Sequence, residues 1–303
     1  MAPTPSADAP AEDFARTPGG AVLMDGNRLR DEIVADLRAT VVAAGSPPVC
    51  LATVLVGDDP PSQRYVRSKH AQAAKAGMQS RSEVLAATAS QAEVEQVVGA
   101  LVEDPAVHGI LVQAPLPDGL DFDAVLRLVP ADKDVDGLTE ASLGRLMRST
   151  PGHIGCTPLG VLRLLERYGV AVSGRRAVIV GRSTLVGLPL AVLLARKGID
   201  ATVTLAHSRS GDLVPICREA DILVAAAGHA GMVTAAHVKP GAAVIDVGVS
   251  RTHAGIAGDV LFDEVQAIAS AITPMPGGTG PMTVACLLQN TLAAARLQGA
   301  FPG

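Results

Sequence analysis

Tryptophan is absent from this chain, and aromatic residues make up only 2% of it. So few aromatics leave no platform on which unpaired bases could stack. Positive charge is not in excess either: 25 Lys and Arg stand against 30 Asp and Glu, a formal net charge of −5. A duplex-binding surface needs a basic stripe to displace counterions, so no nucleic-acid partner is expected. No apolar run approaches the roughly 18 residues of a membrane-spanning helix, which argues against a membrane partner. Cysteine is scarce, and Cys50, Cys156, Cys217 and Cys286 form no CxxC pair. That spacing supplies neither a metal site nor a disulfide framework, and free buried thiols in a reducing compartment are expected. The first twenty residues lack the basic start and apolar stretch of a signal peptide and the arginines of a transit peptide. A loose tail over residues 1–20 of a cytoplasmic protein follows as the expectation.

What is present is apolar substance: 48% hydrophobic residues over 303 positions, enough for two domains. Ile33, Leu37 and Val41 recur at a helical period between residues 25 and 44, closed by Gly45. The nearly unbroken apolar run 49–56 reads as a strand buried on both faces, as a parallel sheet requires. A helix is predicted over 62–76. Ser90 and Glu93 have capping-box spacing and open another helix through about Val102. Residues 109–113 form a short strand stopped by Pro115 and Pro117. A second unit opens at Thr157, read as an N-cap before Pro158. Strands at 176–180, 201–206, 222–227 and 244–249 then alternate with helices. The class is α/β with mostly parallel sheets, and the second half has the outline of a doubly wound nucleotide-binding sheet.

Gly181 and Gly187 bracket the turn after the 176–180 strand. Their six-residue spacing is not GxGxxG, and an ordinary tight turn fits it as well as a phosphate-binding one. The end of the next strand is more informative. It reads His207-Ser-Arg-Ser210, without the acid that holds the ribose hydroxyls of NAD. Ser208 and Arg209, helped by Arg182, suit a 2′-phosphate, which points to NADP, while the same residues also describe a solvated basic turn.

Lysine is rare at five residues. Tyr65 and Lys69 stand four apart on one predicted helix face. A lysine desolvated in a cleft can shed its proton, as arginine cannot, and so can act as acid or base. By itself the pair equally describes a solvated helix face. Gln113 closes a buried strand at its C-terminal end, where α/β proteins place ligand groups. Asp136 sits in Asp134-Val-Asp136-Gly137, which also reads as an ordinary Asx turn. The run 274–283, dense in Pro and Gly, suits close approach of backbone to a ligand.

Five segments then occur in order: Gly57 with Tyr65-Val-Arg-Ser-Lys69; Gly109 to Pro117; Lys133-Asp-Val-Asp-Gly137; Val180-Gly-Arg-Ser183 with Val186-Gly-Leu-Pro189; and Pro276 to Thr283. Together they resemble the bifunctional methylenetetrahydrofolate dehydrogenase/methenyltetrahydrofolate cyclohydrolase family from about Val22 to the C-terminus. Ala114 for Leu, Thr279 for Val and Pro61-Ser62 for Ala-Ser depart from the family pattern without removing a reactive group. The resemblance implies a folate-binding catalytic domain, 21–142 completed by 283–303, and a Rossmann-like NADP-binding domain, 143–282, with tetrahydrofolate derivatives in the cleft between. It implies a homodimer. Lys69 would be the acid/base of hydrolysis, Gln113 would hold it, Tyr65 would stack on the folate and Asp136 would anchor the pterin. Pro276, Gly277 and Gly278 would approach the substrate. Gly181, Arg182, Ser183, Ser208 and Arg209 would hold the cofactor, with Val249 and Thr283 nearer its nicotinamide. Short-chain dehydrogenases also use Tyr-x-x-x-Lys, but there the glycine-rich turn comes first, and here Tyr65 precedes Gly181 by more than a hundred residues. A non-catalytic NADP-binding module leaves Tyr65, Lys69, Gln113 and Asp136 without a purpose.

Overall fold

The structure is a computed structural model that describes residues 14–253 and 255–302. The first part of the chain runs β1 (Val22–Leu23), α1 (Gly26–Ala43), β2 (Cys50–Val56), α2 (Pro60–Lys75), β3 (Gln79–Leu85), α3 (Gln91–Glu103), β4 (Gly109–Val112), α4 (Phe122–Leu126) and α5 (Glu140–Met147). Parallel strands in the order β3-β2-β4 make a three-stranded sheet with β2 at its centre. All seven residues of β2 are buried, which is why its sequence is apolar at every position but Thr53 rather than alternating. Its neighbour β3 escaped the sequence reading for the opposite reason: as an edge strand it spells QSRSEVL, with its first four residues exposed. Ser90 caps α3 in a complete capping box, both reciprocal bonds being present.

The second part runs α6 (Cys156–Arg167), β5 (Arg176–Val180), α7 (Gly187–Ala195), β6 (Thr202–Ala206), α8 (Leu213–Cys217), β7 (Ile222–Ala225), β8 (Ala243–Asp246), β9 (Ser250–Thr252), β10 (Gly255–Ala257), α9 (Phe262–Val265), β11 (Ala271–Ile272) and α10 (Thr279–Leu297). A six-stranded parallel sheet has the order β1-β11-β8-β7-β5-β6, so the strand nearest the start of the chain joins the far sheet. The expected N-cap at Thr157 is corrected: α6 begins at Cys156 after Gly155 and has no side-chain cap. Pro158 is tolerated because the first-turn N–H groups have no partner within the helix. α10 returns to the first part of the chain and packs on α1 and α6, burying twelve of its nineteen residues. The four cysteines are free and buried.

Of the expected tail, residues 1–13 lie outside the described residues, while 14–20 are seated. Phe14 packs its ring 4.8 Å from that of Tyr168, and Arg16 donates to the carbonyl of Gly20 at 2.8 Å.

Candidate active site

The N-terminus of α2 is fixed by Asp59, whose carboxylate accepts from the N–H (2.9 Å) and hydroxyl (2.8 Å) of Ser62. Val66 and Ala73 are buried, which sets the rotation of the helix and directs Lys69 towards the end of β4. There Lys69 Nζ donates to Gln113 Oε1 at 2.9 Å. The amide of Gln113 is oriented from its other side, Nε2 donating to the carbonyl of Ala114 at 2.6 Å. Its acceptor oxygen therefore faces the amine. Lys69, Gln113 and Asp136 line one cavity of about 180 Å³, with Cys156 and Thr157 of α6 and Leu185 and Val186 from the second sheet's side.

Asp136 is delivered to this cavity by a turn clamped at both ends. Asp134, itself buried, accepts at Oδ1 from the N–H groups of Gly137 (2.9 Å) and Leu138 (3.2 Å), and at Oδ2 from Thr139 (2.9 Å). Lys133 is also buried, and its Nζ donates to the carbonyls of Val102 and Asp104, both at 2.8 Å, capping the C-terminus of α3. Gly137 has φ +69°, and a Cβ there would meet the Gly155 backbone nitrogen at 2.5 Å. The sequence reading picked out Asp136 and passed over Asp134, although the Asx-turn signal it noted belongs to Asp134.

Burial pushes the Lys69 amine below its usual value of 10.5, against the opposing pull of the Asp136 charge. Burial likewise raises the Asp136 carboxyl, with Lys69 pulling it back down. The Cys156 thiol is raised well above the usual range, first by burial and then by Asp136, so it stays protonated and donates to the carbonyl of Val135 at 3.3 Å. Next to Lys69, His70 bridges Thr53 of β2 (2.8 Å) and Ser80 of β3 (2.7 Å) through its two ring nitrogens. Neither Cys156 nor His70 was singled out in the sequence.

Tyr65 is 46% exposed and stands outside the Lys69 cavity, one turn of α2 nearer the mouth, against Val249, Pro276 and Gly277. Gly278 is used differently: a Cβ on Gly26 would run into its carbonyl, while the carbonyl of Gly277 accepts from Gly26 N–H at 2.9 Å. This close crossing brings the start of α1 against the start of α10. Thr283 donates its hydroxyl to the carbonyl of Gly280 at 2.7 Å within α10.

The parallel register sets Val180 beside Ala206 and Ala225, so the C-terminal ends of β5, β6 and β7 lie side by side. At that edge Gly181 has φ +130°, and a Cβ on it would strike the carbonyl of Ala226. A Cβ on Gly187 would strike the carbonyl of Gly181. Both glycines are thus demanded by backbone crossing. α7 starts without a side-chain cap; the N–H of Leu188 donates to the carbonyl of Ser183 at 3.0 Å and Pro189 has no N–H, so of its first three positions only Gly187 can offer an N–H to an anion. After β6, the N–H of His207 donates to the Ser210 hydroxyl at 3.0 Å, and Ser208 and Arg209 are exposed on the turn, as Arg182 and Ser183 are on theirs. Asp212, the acid beyond this turn, is occupied in capping α8. The edge thus fits a dinucleotide carrying an extra phosphate. Two further carboxylates shape it. Asp259 accepts from Ala227 (2.7 Å) and Gly228 (2.9 Å), and Asp246 accepts from Gly248 (3.1 Å), Asp259 (3.0 Å) and Val260 (3.0 Å). Burial pushes the Asp246 carboxyl up to about 6.

Among the described residues no group of His, Cys, Asp or Glu could hold a metal ion, and no helix is long and apolar enough to cross a membrane. A parallel nucleotide-binding sheet facing a desolvated lysine, a glutamine and an aspartate defines a two-domain enzyme of the dinucleotide-dependent class. The sequence profile described as the catalytic domain of tetrahydrofolate dehydrogenase/cyclohydrolase matches residues 24–136, and that of its NAD(P)-binding domain matches residues 155–299. The chain belongs to the tetrahydrofolate dehydrogenase/cyclohydrolase family. It is 49% identical over 297 residues to bifunctional protein FolD of Rhodopirellula baltica, covering 92% of this chain and 99% of that one. Among solved structures, the bifunctional enzyme FolD of Campylobacter jejuni superposes with a TM-score of 0.89 at 40% identity, over 92% of this chain and 99% of that one. The FolD of Trypanosoma brucei, solved with NADP cofactor and an inhibitor, gives a TM-score of 0.86 at 39% identity, over 91% and 98%.

Proposed function

We propose that this chain carries one folate through two reactions in the cleft. In the first, 5,10-methylenetetrahydrofolate is oxidised to the 5,10-methenyl cation. In the second, that cation is hydrolysed to 10-formyltetrahydrofolate. NADP⁺, when bound, accepts the hydride of the first step. Gly181, Arg182, Ser183, Ser208 and Arg209 hold it, with Val249 and Thr283 towards the nicotinamide. The protein's part in oxidation is to orient, which needs no acid. Hydrolysis needs a base and then an acid, and Lys69 supplies both: its neutral amine takes a proton from the water that adds to the methenyl carbon. The resulting ammonium returns a proton to N5 as the C–N5 bond breaks, and the carbinol hydroxyl releases its remaining proton to solvent, leaving the formyl group on N10. The cationic substrate itself favours the neutral amine, as like charges depress a lysine pKa. Gln113 presents its oxygen to the amine, Asp136 anchors the pterin, Tyr65 stacks on the folate, and Pro276, Gly277 and Gly278 approach it.

The observation that carries this reading is the Lys69–Gln113 hydrogen bond in a cavity shared with Asp136. We assign residues 21–142 and 283–303 to the catalytic domain, 143–282 to the cofactor domain, and a homodimer as the working form. Four free thiols accord with a reducing cytoplasm. The product supplies one-carbon units to purine, methionine and histidine biosynthesis. One spectral time course with methylenetetrahydrofolate tests the whole, using NADP⁺ and, as control, NAD⁺. Reduced NADP with little lasting methenyl absorbance is expected. Accumulating methenyl would remove the hydrolytic role, and no reduction with either cofactor would overturn the folate reading.

A further inference from the structure

Behind the C-terminal edge of the second sheet lie two carboxylates to which the two reactions give no role, Asp246 (2% exposed) and Asp259 (0% exposed). Burial of a carboxylate is costly unless its oxygens are bonded, so two of them in one place call for a reason. Glycines make the room for both. A Cβ on Gly258 would strike Asp246 Oδ2, and one on Gly248 would strike the Asp259 carboxyl. Asp259 also bonds through one oxygen alone: Oδ2 takes two N–H groups, while Oδ1 is buried with no hydrogen-bond partner among the described residues.

Asp246 is the mount for Asp259. Its Oδ1 accepts from the N–H of Asp259 and its Oδ2 from that of Val260, both at 3.0 Å, and its own N–H donates to Thr273 Oγ1 at 2.8 Å. From the other side, Val233 N–H donates to the Asp259 carbonyl at 2.8 Å and Gly231 N–H to the Gly258 carbonyl at 3.0 Å. Asp259 is thus held fast against the turn that follows β7. There it draws two consecutive N–H groups inward, those of Ala227 at 2.7 Å and Gly228 at 2.9 Å. In a planar trans peptide the N–H and C=O point in opposite directions, so the carbonyls of Ala226 and Ala227 face away from Asp259. The first of these is the carbonyl that a Cβ on Gly181 would strike. The far end of the turn is tied by Ser250, whose hydroxyl donates to the Gly228 carbonyl at 3.1 Å.

We propose that Asp259 is a positioning residue for the oxidative step: it fixes the orientation of the peptides at 226–228, and with them the wall that the cofactor meets beside the Gly181 turn. This rests on the NADP-dependent reading above. A carboxylate suits the task better than a hydroxyl, because one charged oxygen accepts two N–H bonds and strengthens both. Without it two buried N–H groups lose their acceptor. The peptides are then free to turn their carbonyls elsewhere, and the seat loses its shape. The Lys69 cavity is lined by none of these residues, so hydrolysis does not depend on them.

The test sets two readouts side by side: the Kd for NADPH, followed by its fluorescence, and hydrolysis of methenyltetrahydrofolate, which needs no cofactor. Asp259→Ala is expected to raise the Kd about ten-fold or more, the worth of a buried donor left unpaired, with hydrolysis unchanged. Asp259→Asn keeps an oxygen that accepts from both N–H groups, and is expected to bring the Kd back to within about three-fold of the wild type. Ser250→Ala releases the same turn from its exposed end, and a rise of about three-fold is expected. These last two variants carry the test should Asp259→Ala not fold. A Kd unmoved in every variant that folds, or hydrolysis falling in step with binding, would overturn the positioning role. A wild-type chain that neither binds NADPH nor hydrolyses methenyltetrahydrofolate would overturn the folate reading itself.

Discussion

Lys69 and Gln113 meet at 2.9 Å although 44 residues separate them, because α2 and β4 both flank β2. The contact tolerates either protonation state of the amine: Nζ keeps an N–H to donate whether neutral or charged, and the Gln113 oxygen has no proton to lose. The bond therefore holds the amine in place while its charge changes.

Replacing Lys69 by Met removes that proton carrier and keeps much of its bulk. Hydrolysis of methenyltetrahydrofolate is expected to fall by about 10²–10⁴-fold, the usual worth of a positioned acid/base. Equilibrium binding of folate is expected to survive. Full hydrolysis by Lys69→Met would remove the assigned role.

The pH profile follows from the sign of the Lys69 shift. The neutral amine is the base, so the hydrolysis rate rises as pH climbs through a value that burial has moved below 10.5. Gln113→Glu puts a negative charge beside the amine, which favours its charged form and moves the rise by about one unit or more to higher pH. Initial rates across the range, compared with the wild type, read this directly; a profile left in place would contradict it.

Asp134→Asn tests the turn that carries Asp136. One carboxylate oxygen accepting N–H bonds becomes an amide nitrogen facing a donor, a loss of about 1–3 kcal/mol for a buried group. A lower unfolding temperature and a raised KM for folate, with kcat changed less, are expected from denaturation and steady-state kinetics. An unchanged KM would detach Asp134 from the site.

Gly181→Ala brings a Cβ against the Ala226 carbonyl at a φ only glycine adopts freely. Binding of NADP⁺, followed by titration, is expected to be lost, while hydrolysis of supplied methenyltetrahydrofolate persists. Retained binding would show that the turn is not the phosphate cradle.

The Asp246 carboxyl is expected to titrate near 6 when followed by carbon NMR, not near 3.8. A raised folded-state value means that the group stabilises the fold fully below 3.8 and loses that contribution as pH rises through about 6. Comparing the unfolding free energy of Asp246→Asn and the wild type from pH 4 to 8 isolates this slope.

Much of the architecture was legible because the physical signal was local. Buried parallel strands show as apolar runs, β7 at every position and β2 at all but Thr53, and Ser90 with Glu93 spells its cap within four residues. β3 was illegible as a polar edge strand, and β1 and β11 because two residues each are too few to show a period. Within the site, Tyr65 and Lys69 were read as a pair, yet they face different spaces: Lys69 reaches inward to Gln113, and Tyr65 stays at the mouth.

The sequence by itself determined the α/β alternation, the two-part plan, the family and the residues able to do chemistry, since these depend on composition, short periods and ordered motifs. Only the tertiary structure decided what each of them does. Lys133 and Lys69 are both desolvated lysines, but Lys133 ends on two helix carbonyls and is a fastener, whereas Lys69 ends on an amide oxygen beside Asp136 in an open cavity. Asp134 and Asp136 stand two residues apart, and one is consumed by three backbone N–H groups while the other lines the cavity. The difference lies in the partners that distant strands and helices bring to each side chain, and no window along the chain contains them.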